Sequence, residues 1–361
     1  MSELKNQPMF FLGANSPGGF QSGFGSSFSV SGGWHTYIIK GGPGTGKSTL
    51  MKRVAEYFLN KGLRCHLCPC SSDPNSLDAV IFPDVKIVLL DGTAPHVVEP
   101  KYPGVCEEII NLGQCWNTSA LINNREAIID LTKENKEFHK KAASYISAAG
   151  CVITDTADVA SGSLHSEKAK QFAKRLAKKY IPHLKATGIE WRRYLGGVTP
   201  KGLIFLNRSL EKMVDTKIVV SDEFGAASSV ILGGIRDEAL MLGHEIISCY
   251  CPMSPNTKVE HIIIPALRLA FCTSNRFHKI ESTERVIHAR RFMDMAKFHE
   301  ERARVNFNRK AAFEFLNLAA DTLSDAKAVH DKLEALYINA MDYNKLNEIT
   351  KHLIANITTL I

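Results

Sequence analysis

Short apolar runs, each closed by a turn signal, alternate along this chain with segments whose apolar residues recur every three or four positions. TYIIK (36–40), RCHLCPC (64–70) and VKIVLLD (85–91) are runs of the first kind, the pattern of strands buried in a parallel sheet. STLMKRVAEYFLNKG (48–62) is of the second kind. It sets Leu50, Val54 and Phe58 on one side and ends at Gly62, which predicts an amphipathic helix with a glycine stop. Strand, helix and strand in this order predict an α/β chain with parallel sheets. Residues 105–148 and 163–185 read as helical, and so does the chain from about 283 onward.

The pattern occurs twice. FLGANSPGGF (11–20) is echoed by YLGGVTPKGL (194–203), with Leu12, Gly13, Pro17 and Gly19 meeting Leu195, Gly196, Pro200 and Gly202. Further on, Gly44, Ser48, Gly62, Cys68, Cys70, Pro74 and Asn75 fall on Gly225, Ser229, Gly243, Cys249, Cys251, Pro255 and Asn256. Pro83, His96 and Glu99 then fall on Pro265, His278 and Glu281. Matches in one order at nearly constant spacing predict two diverged copies of one unit, 1–193 and 194–361.

In the first copy the strand runs into Gly41-Gly42-Pro43-Gly44-Thr45-Gly46-Lys47-Ser48 and then into the helix. The segment fits G-x-x-x-x-G-K-[ST] at each specified position. Its glycines let backbone N–H groups converge on phosphate oxygens, and the helix N-terminus adds a favourable field. Lys47 is then expected to reach the outer phosphates and Ser48 to join a Mg²⁺ shell, with Thr49 completing the nucleotide-contacting segment. Asp91 closes a strand so apolar that its carboxylate needs a partner, which predicts a second Mg²⁺ ligand, the alternative being a structural cap in the turn Asp91-Gly92-Thr93. Neither Asn135-Lys136-Glu137-Phe138 nor Asn344-Lys345-Leu346-Asn347 completes a guanine-reading Asn-Lys-x-Asp loop, so ATP is the expected nucleotide. The predicted fold is two tandem P-loop NTPase-like three-layer domains with parallel sheets, each followed by a long helical region.

The second copy keeps the outline and loses the chemistry. Asp222 stands at the place of Gly41, Ala227 at that of Gly46, Ser228 at that of Lys47 and Thr273 at that of Asp91. Losing the lysine removes a charge-assisted contact of about 1.5–3 kcal/mol. Asp222 and Glu223, at ~8 Å from a triphosphate, would each add about 2 kcal/mol of repulsion per unit charge. This half is therefore expected to be structural or regulatory, covering the first site or coupling it to a protein partner. An arginine from it, Arg236, Arg268 or Arg276, could also reach the first site.

The GGPGTGKS loop, the stretch Cys70-Ser71-Ser72-Asp73-Pro74-Asn75-Ser76-Leu77-Asp78 and Asp91-Gly92-Thr93-Ala94-Pro95-His96 together resemble a bacterial family of tandem P-loop ATPases. The resemblance spans the whole chain, and the Cys70–Asp78 stretch is its more specific part. Members are described as ATPases or nucleotide-kinase-like proteins, so it implies this fold and ATP. Some carry a lysine-bearing loop in both halves, from which this chain departs.

Hydrolysis needs a group to orient water, and Gly92 stands where many ATPases carry a glutamate. Asp73 is the expected catalytic candidate, with Asp78, His96 and Glu99 as further polar groups; Asp73 and Asp78 read equally well as turn or cap residues. The alternatives are a kinase, with Arg125 or Arg175 in a helical lid, and an ATP sensor without turnover. Cys68, Cys70, Cys249 and Cys251 could converge on zinc, although small buried residues are the commoner reading. Composition narrows the rest: 361 residues, 45% hydrophobic, nine cysteines and a net charge of +7 predict a cytoplasmic protein with reduced thiols and no membrane span. No nucleic-acid module is recognisable in KENKEFHKK (133–141) or KAKQFAKRLAKKY (168–180), and nucleic acid is not an expected partner.

Overall fold

Tyr37–Ile39 and Val88–Leu90 are buried throughout, as central strands covered on both faces must be. A computed structural model describes residues 4–23, 28, 32–94 and 97–361, and the chain is α/β, about half helical. A hairpin of β1 (Gly13–Ser16) and β2 (Gly19–Ser22) precedes β3 (His35–Lys40). Helix α1 (Lys47–Leu59) then leads to β4 (His66–Pro69), β5 (Leu77–Phe82), β6 (Ile87–Asp91) and β7 (Glu107–Asn111). The sheet order is β4-β5-β6-β3-β7. Helices α2 (Thr118–Asn123), α3 (Arg125–Gly162) and α4 (Ser166–Tyr180) complete this stretch.

The second stretch repeats the order. It runs through β8 (Ile189–Arg193), a hairpin of β9 (Gly196–Thr199) and β10 (Gly202–Phe205), α5 (Arg208–Met213), β11 (Thr216–Ser221) and α6 (Ala226–Met241). Strands β12 (Glu245–Tyr250), β13 (Val259–Ile264), β14 (Leu269–Ser274) and β15 (Arg285–His288) follow, then α7 (Met295–Glu300), α8 (Arg302–Ile338) and α9 (Tyr343–Leu360). The second sheet reads β15-β11-β14-β13-β12-β8, the first order with β8 added.

Two expectations are corrected. The sheets are mixed, not parallel: β3 pairs parallel with β6 and β7, whereas β5 lies antiparallel between β4 and β6, and β13 does the same between β12 and β14. The six residues of LDAVIF are all buried, so they continue the sheet back on itself through a short turn. That turn is strained at matching places, Lys86 with φ 53 and Arg268 with φ 47. The helix expected from 105 begins only at Thr118, because Glu107–Asn111 pairs with Thr36–Lys40, and the one expected from about 283 begins only at Met295, because Arg285–His288 pairs with Ile218–Ser221.

A local two-fold relates the halves. Phe11 and its echo Tyr194 bridge each other antiparallel, each N–H donating to the other's carbonyl at 2.9 Å. Trp116 bridges Met341, and Leu164 bridges Met293. Helices α3 and α8 run antiparallel, with Ala142, Ile146 and Ala149 packed on Leu316, Ala319 and Leu323. Arg304 and Asn308 hold Asp155 near the other end, Arg304 Nε at 2.8 Å.

The terminal helices cross over. Phe172 and Leu176 of α4 pack with Ile218, Ile231 and Phe271 of the second sheet's unit. Leu346, Leu353 and Ile357 of α9 pack with Leu50, Val54 and Phe58 on the first. Strand β8, which precedes residue 194, pairs with β12. Each core is thus closed by residues from beyond the 193/194 division.

Candidate functional site

Residues 41–46 carry the chain from the end of β3 to the start of α1. Gly44 has φ 67 and Gly46 φ 81, a region where a side chain costs roughly 1–2 kcal/mol. Buried Thr45 pins the turn by donating from Oγ1 to the Gly42 carbonyl at 2.9 Å. Lys47 Nζ donates to the carbonyls of Gly41 at 2.9 Å and Gly42 at 2.8 Å. The same ammonium lies 3.6 Å from Asp91 Oδ2. Because β3 and β6 are neighbours in parallel register, Ile39 is opposite Asp91. The loop and the acid therefore leave the sheet at the same edge, where ligand crevices of open α/β sheets form.

Asp91 Oδ1 accepts from Thr93 N at 2.9 Å and from Thr93 Oγ1 at 2.5 Å. Burial pushes its carboxyl above the usual range, against the pull of the Lys47 ammonium, and the nearby Asp78 carboxylate adds to the rise. An acid so placed gains from any further cation. Ser48 Oγ accepts from Leu77 N at 3.0 Å, while Thr49 points outward as an exposed residue.

Asp73 lies in the turn before β5. Its carboxylate accepts from Asn75 N and Ser76 Oγ, both at 3.1 Å, and stands 3.6 Å from Lys327 Nζ of α8. Buried Asp78 follows on β5. Glu99 is held by Lys40 at 2.5 Å, the same ammonium that ties the carbonyls of Gly92 and Val98. Pro95 and His96 lie outside the described residues.

Sequence reasoning offered the second half as a cover for the first site but did not name the residues that cover the loop. A Cβ on Gly44 would stand 2.7 Å from the Glu334 carbonyl oxygen of α8, and one on Gly46 would stand 2.7 Å from Leu346 of α9. The rings of Trp116 and Tyr337, 5.8 Å apart, pack on Gly42. Lys201 of the second hairpin's turn donates to Asn75 Oδ1 at 2.8 Å. These contacts join residues far apart in sequence, and no local pattern announces them. Arg236, Arg268 and Arg276 do not take part: they pair with Glu190, Asp215 and Glu223.

The corresponding turn in the second half has a different interior. Only residues 222–225 separate β11 from α6, so the helix begins too early for a six-residue loop. Buried Asp222 turns its carboxylate onto the helix start. Oδ1 accepts from Phe224 N at 3.1 Å and Gly225 N at 3.0 Å, and Oδ2 from Ser228 N at 2.7 Å. Three converging amides at a helix N-terminus form an anion nest, and here the anion is the chain's own side chain. Lys258 stands close by, its Nζ 2.9 Å from where a Cβ on Gly225 would be.

The cysteines do not converge on a metal. Burial pushes the Cys68 thiol up to about 12 and that of Cys249 well above its ordinary value, with the Arg193 guanidinium acting on both. Both pack in the cores, and among the described residues no group of three metal-binding atoms within 4.8 Å includes a cysteine. Among the described residues no helix is long and apolar enough to cross a membrane. Comparison with protein-family models, curated proteins and solved structures returned no match for the chain.

Proposed function

We propose that the chain binds Mg²⁺·ATP at residues 41–48 and hydrolyses it slowly, and that its second half is structural or regulatory. The observation that carries this reading is the 3.6 Å approach of Lys47 Nζ to Asp91 Oδ2 at one edge of adjacent parallel strands. In this reading the two units are variants of the three-layer P-loop NTPase architecture, working in the cytoplasm.

The residues suit the ligands. Lys47 holds two loop carbonyls and exchanges them for β- and γ-phosphate oxygens, while backbone amides of Gly44 to Ser48 meet the same charge. Ser48 and Asp91 would hold Mg²⁺, whose contribution is to neutralise phosphate charge. The raised carboxyl of Asp91 fits that role, since a buried acid gains most from a cation. Asp73 is committed to its turn and to Lys327, and Glu99 to Lys40. Asp78 is a buried carboxylate whose charge reaches Asp91, and the commitment of Asp73 and Glu99 to other partners supports slow turnover.

Gly92 after Asp91 also supports a second reading, an ATP sensor with no appreciable turnover; a kinase reading calls for a phosphorylated acceptor. Phosphate release and ATP binding by the purified chain and by Lys47→Ala separate these. Lysine-dependent release is the expected result, with binding weakened about 100-fold by loss of charge-assisted contacts. Binding without release favours the sensor, and a phosphorylated product the kinase. Equal binding by both proteins would sink the assignment.

A further inference from the structure

Glu260 and His261 of β13 and His278, just beyond β14, bring three metal-binding atoms within 4.8 Å of one another. His261 is 2% exposed, and neither ring nitrogen has a hydrogen-bond partner. A neutral imidazole carries one donor and one lone pair, and leaving buried polar groups unmet costs about 1–3 kcal/mol each. That orphan calls for a ligand. His278 Nε2 is 3.0 Å from the Thr273 carbonyl, to which it can only donate. The lone pair of that ring then belongs to Nδ1, and a backbone carbonyl fixing the tautomer is the usual support of a metal-binding histidine. Phe205 stacks on the same ring at 4.7 Å.

We propose that Glu260, His261 and His278 bind one divalent transition-metal ion of the zinc class. Two neutral imidazoles and one carboxylate suit Zn²⁺, Co²⁺ or Fe²⁺ better than Mg²⁺ or Ca²⁺, which prefer oxygen. A cavity of about 110 Å³ reaches two of the three residues, Glu260 and His278, but not His261, and is lined also by Met253, Phe277 and Arg309.

One group competes. Lys258 Nζ donates to Glu260 Oε1 at 3.1 Å and supplies positive charge to the same carboxylate. The site thus has a built-in rival cation, and removing it must tighten metal binding. That sign separates a metal site from a buried ion pair packed beside two histidines.

The test is titration of the metal-stripped full chain with Co²⁺ and Zn²⁺, followed by absorption and calorimetry. One equivalent is expected to bind. His278→Ala should weaken binding by about 100-fold or more, at least what loss of an outer support costs, and Lys258→Met should strengthen it. Lys47→Ala and Asp91→Asn should leave it unchanged, so the result stands apart from the fate of the ATP reading. X-ray absorption of the zinc-loaded wild type needs no variant to fold and should show imidazole scattering. Absence of a stoichiometric ion, equal uptake by His278→Ala, or a shell without imidazole overturns the proposal.

Discussion

The turns at 41–48 and 222–229 share a strand before them and a helix after them, but they treat the space between in opposite ways. In the first, a lysine lies across the loop carbonyls and an acid waits 3.6 Å away. In the second, Asp222 turns inward, and its carboxylate takes three amide hydrogens for itself. The difference teaches that a turn of this outline is not neutral scaffolding. Convergent N–H groups at a helix start are a standing demand for negative charge. A half that lacks the lysine meets that demand from its own sequence.

The comparison can be broken most directly at Asp222. Asp222→Ala should lower the unfolding free energy by about 3 kcal/mol in a denaturant titration, because three buried amides lose a charged acceptor. A loss under about 1 kcal/mol would mean that solvent replaces the carboxylate and that the nest is not a buried demand. Next comes the matched pair of glycines. Gly44→Ala should cost about 2 kcal/mol, combining a left-handed backbone with a clash against the Glu334 carbonyl. Gly225→Ala should cost about 1 kcal/mol, since its new methyl meets only the end of the Lys258 side chain and no backbone atom. Equal losses would show that the covering helix yields as easily as a side chain.

Smaller still is the link between halves. Lys327→Met should cost about 0.5 kcal/mol, the usual scale of a partly exposed ion pair, and a double-mutant cycle with Asp73→Asn measures the pair itself. The smallest expected effect is on nucleotide binding by Ser228→Lys, which should not create a second site. The loop spans only 222–225 and its amides are taken. Nucleotide bound at two sites in that variant would show that charge alone, rather than loop length, separates the halves.

Much of this was legible in the sequence because it depends on local pattern. Leu50, Val54 and Phe58 were readable as a buried stripe, and Tyr37–Ile39 as a central strand. The echo of Phe11 in Tyr194 proved to mark a local axis. Asp78 illustrates where reading fails: a charged residue inside LDAVIF and the turn residues before it hid β5, whose direction then made the sheets mixed. Glu107 and Glu108 likewise read as a helix face, although pairing with Thr36 and Tyr37 makes them a strand. The nest of Asp222 depends on where its side chain turns, and the cover of α8 on Gly44 on long-range packing. Neither has a period to detect.

The exchange of terminal helices governs how the chain can be made. As the polypeptide emerges, residues 1–180 can form the first sheet and α1, but the apolar stripe of Leu50, Val54 and Phe58 lacks its cover until synthesis reaches α9. Leaving Leu346, Leu353 and Ile357 undocked forgoes about 1.5–3 kcal/mol for each, and α4 meanwhile carries Phe172 and Leu176 without Ile218, Ile231 and Phe271 to pack on. The half with the lysine loop must therefore wait, partly open, for the half without it. A chain that stops before α9 leaves the apolar side of α1 uncovered and Gly46 without the Leu346 side chain that faces it, the kind of exposed apolar surface that makes an incomplete chain prone to aggregate.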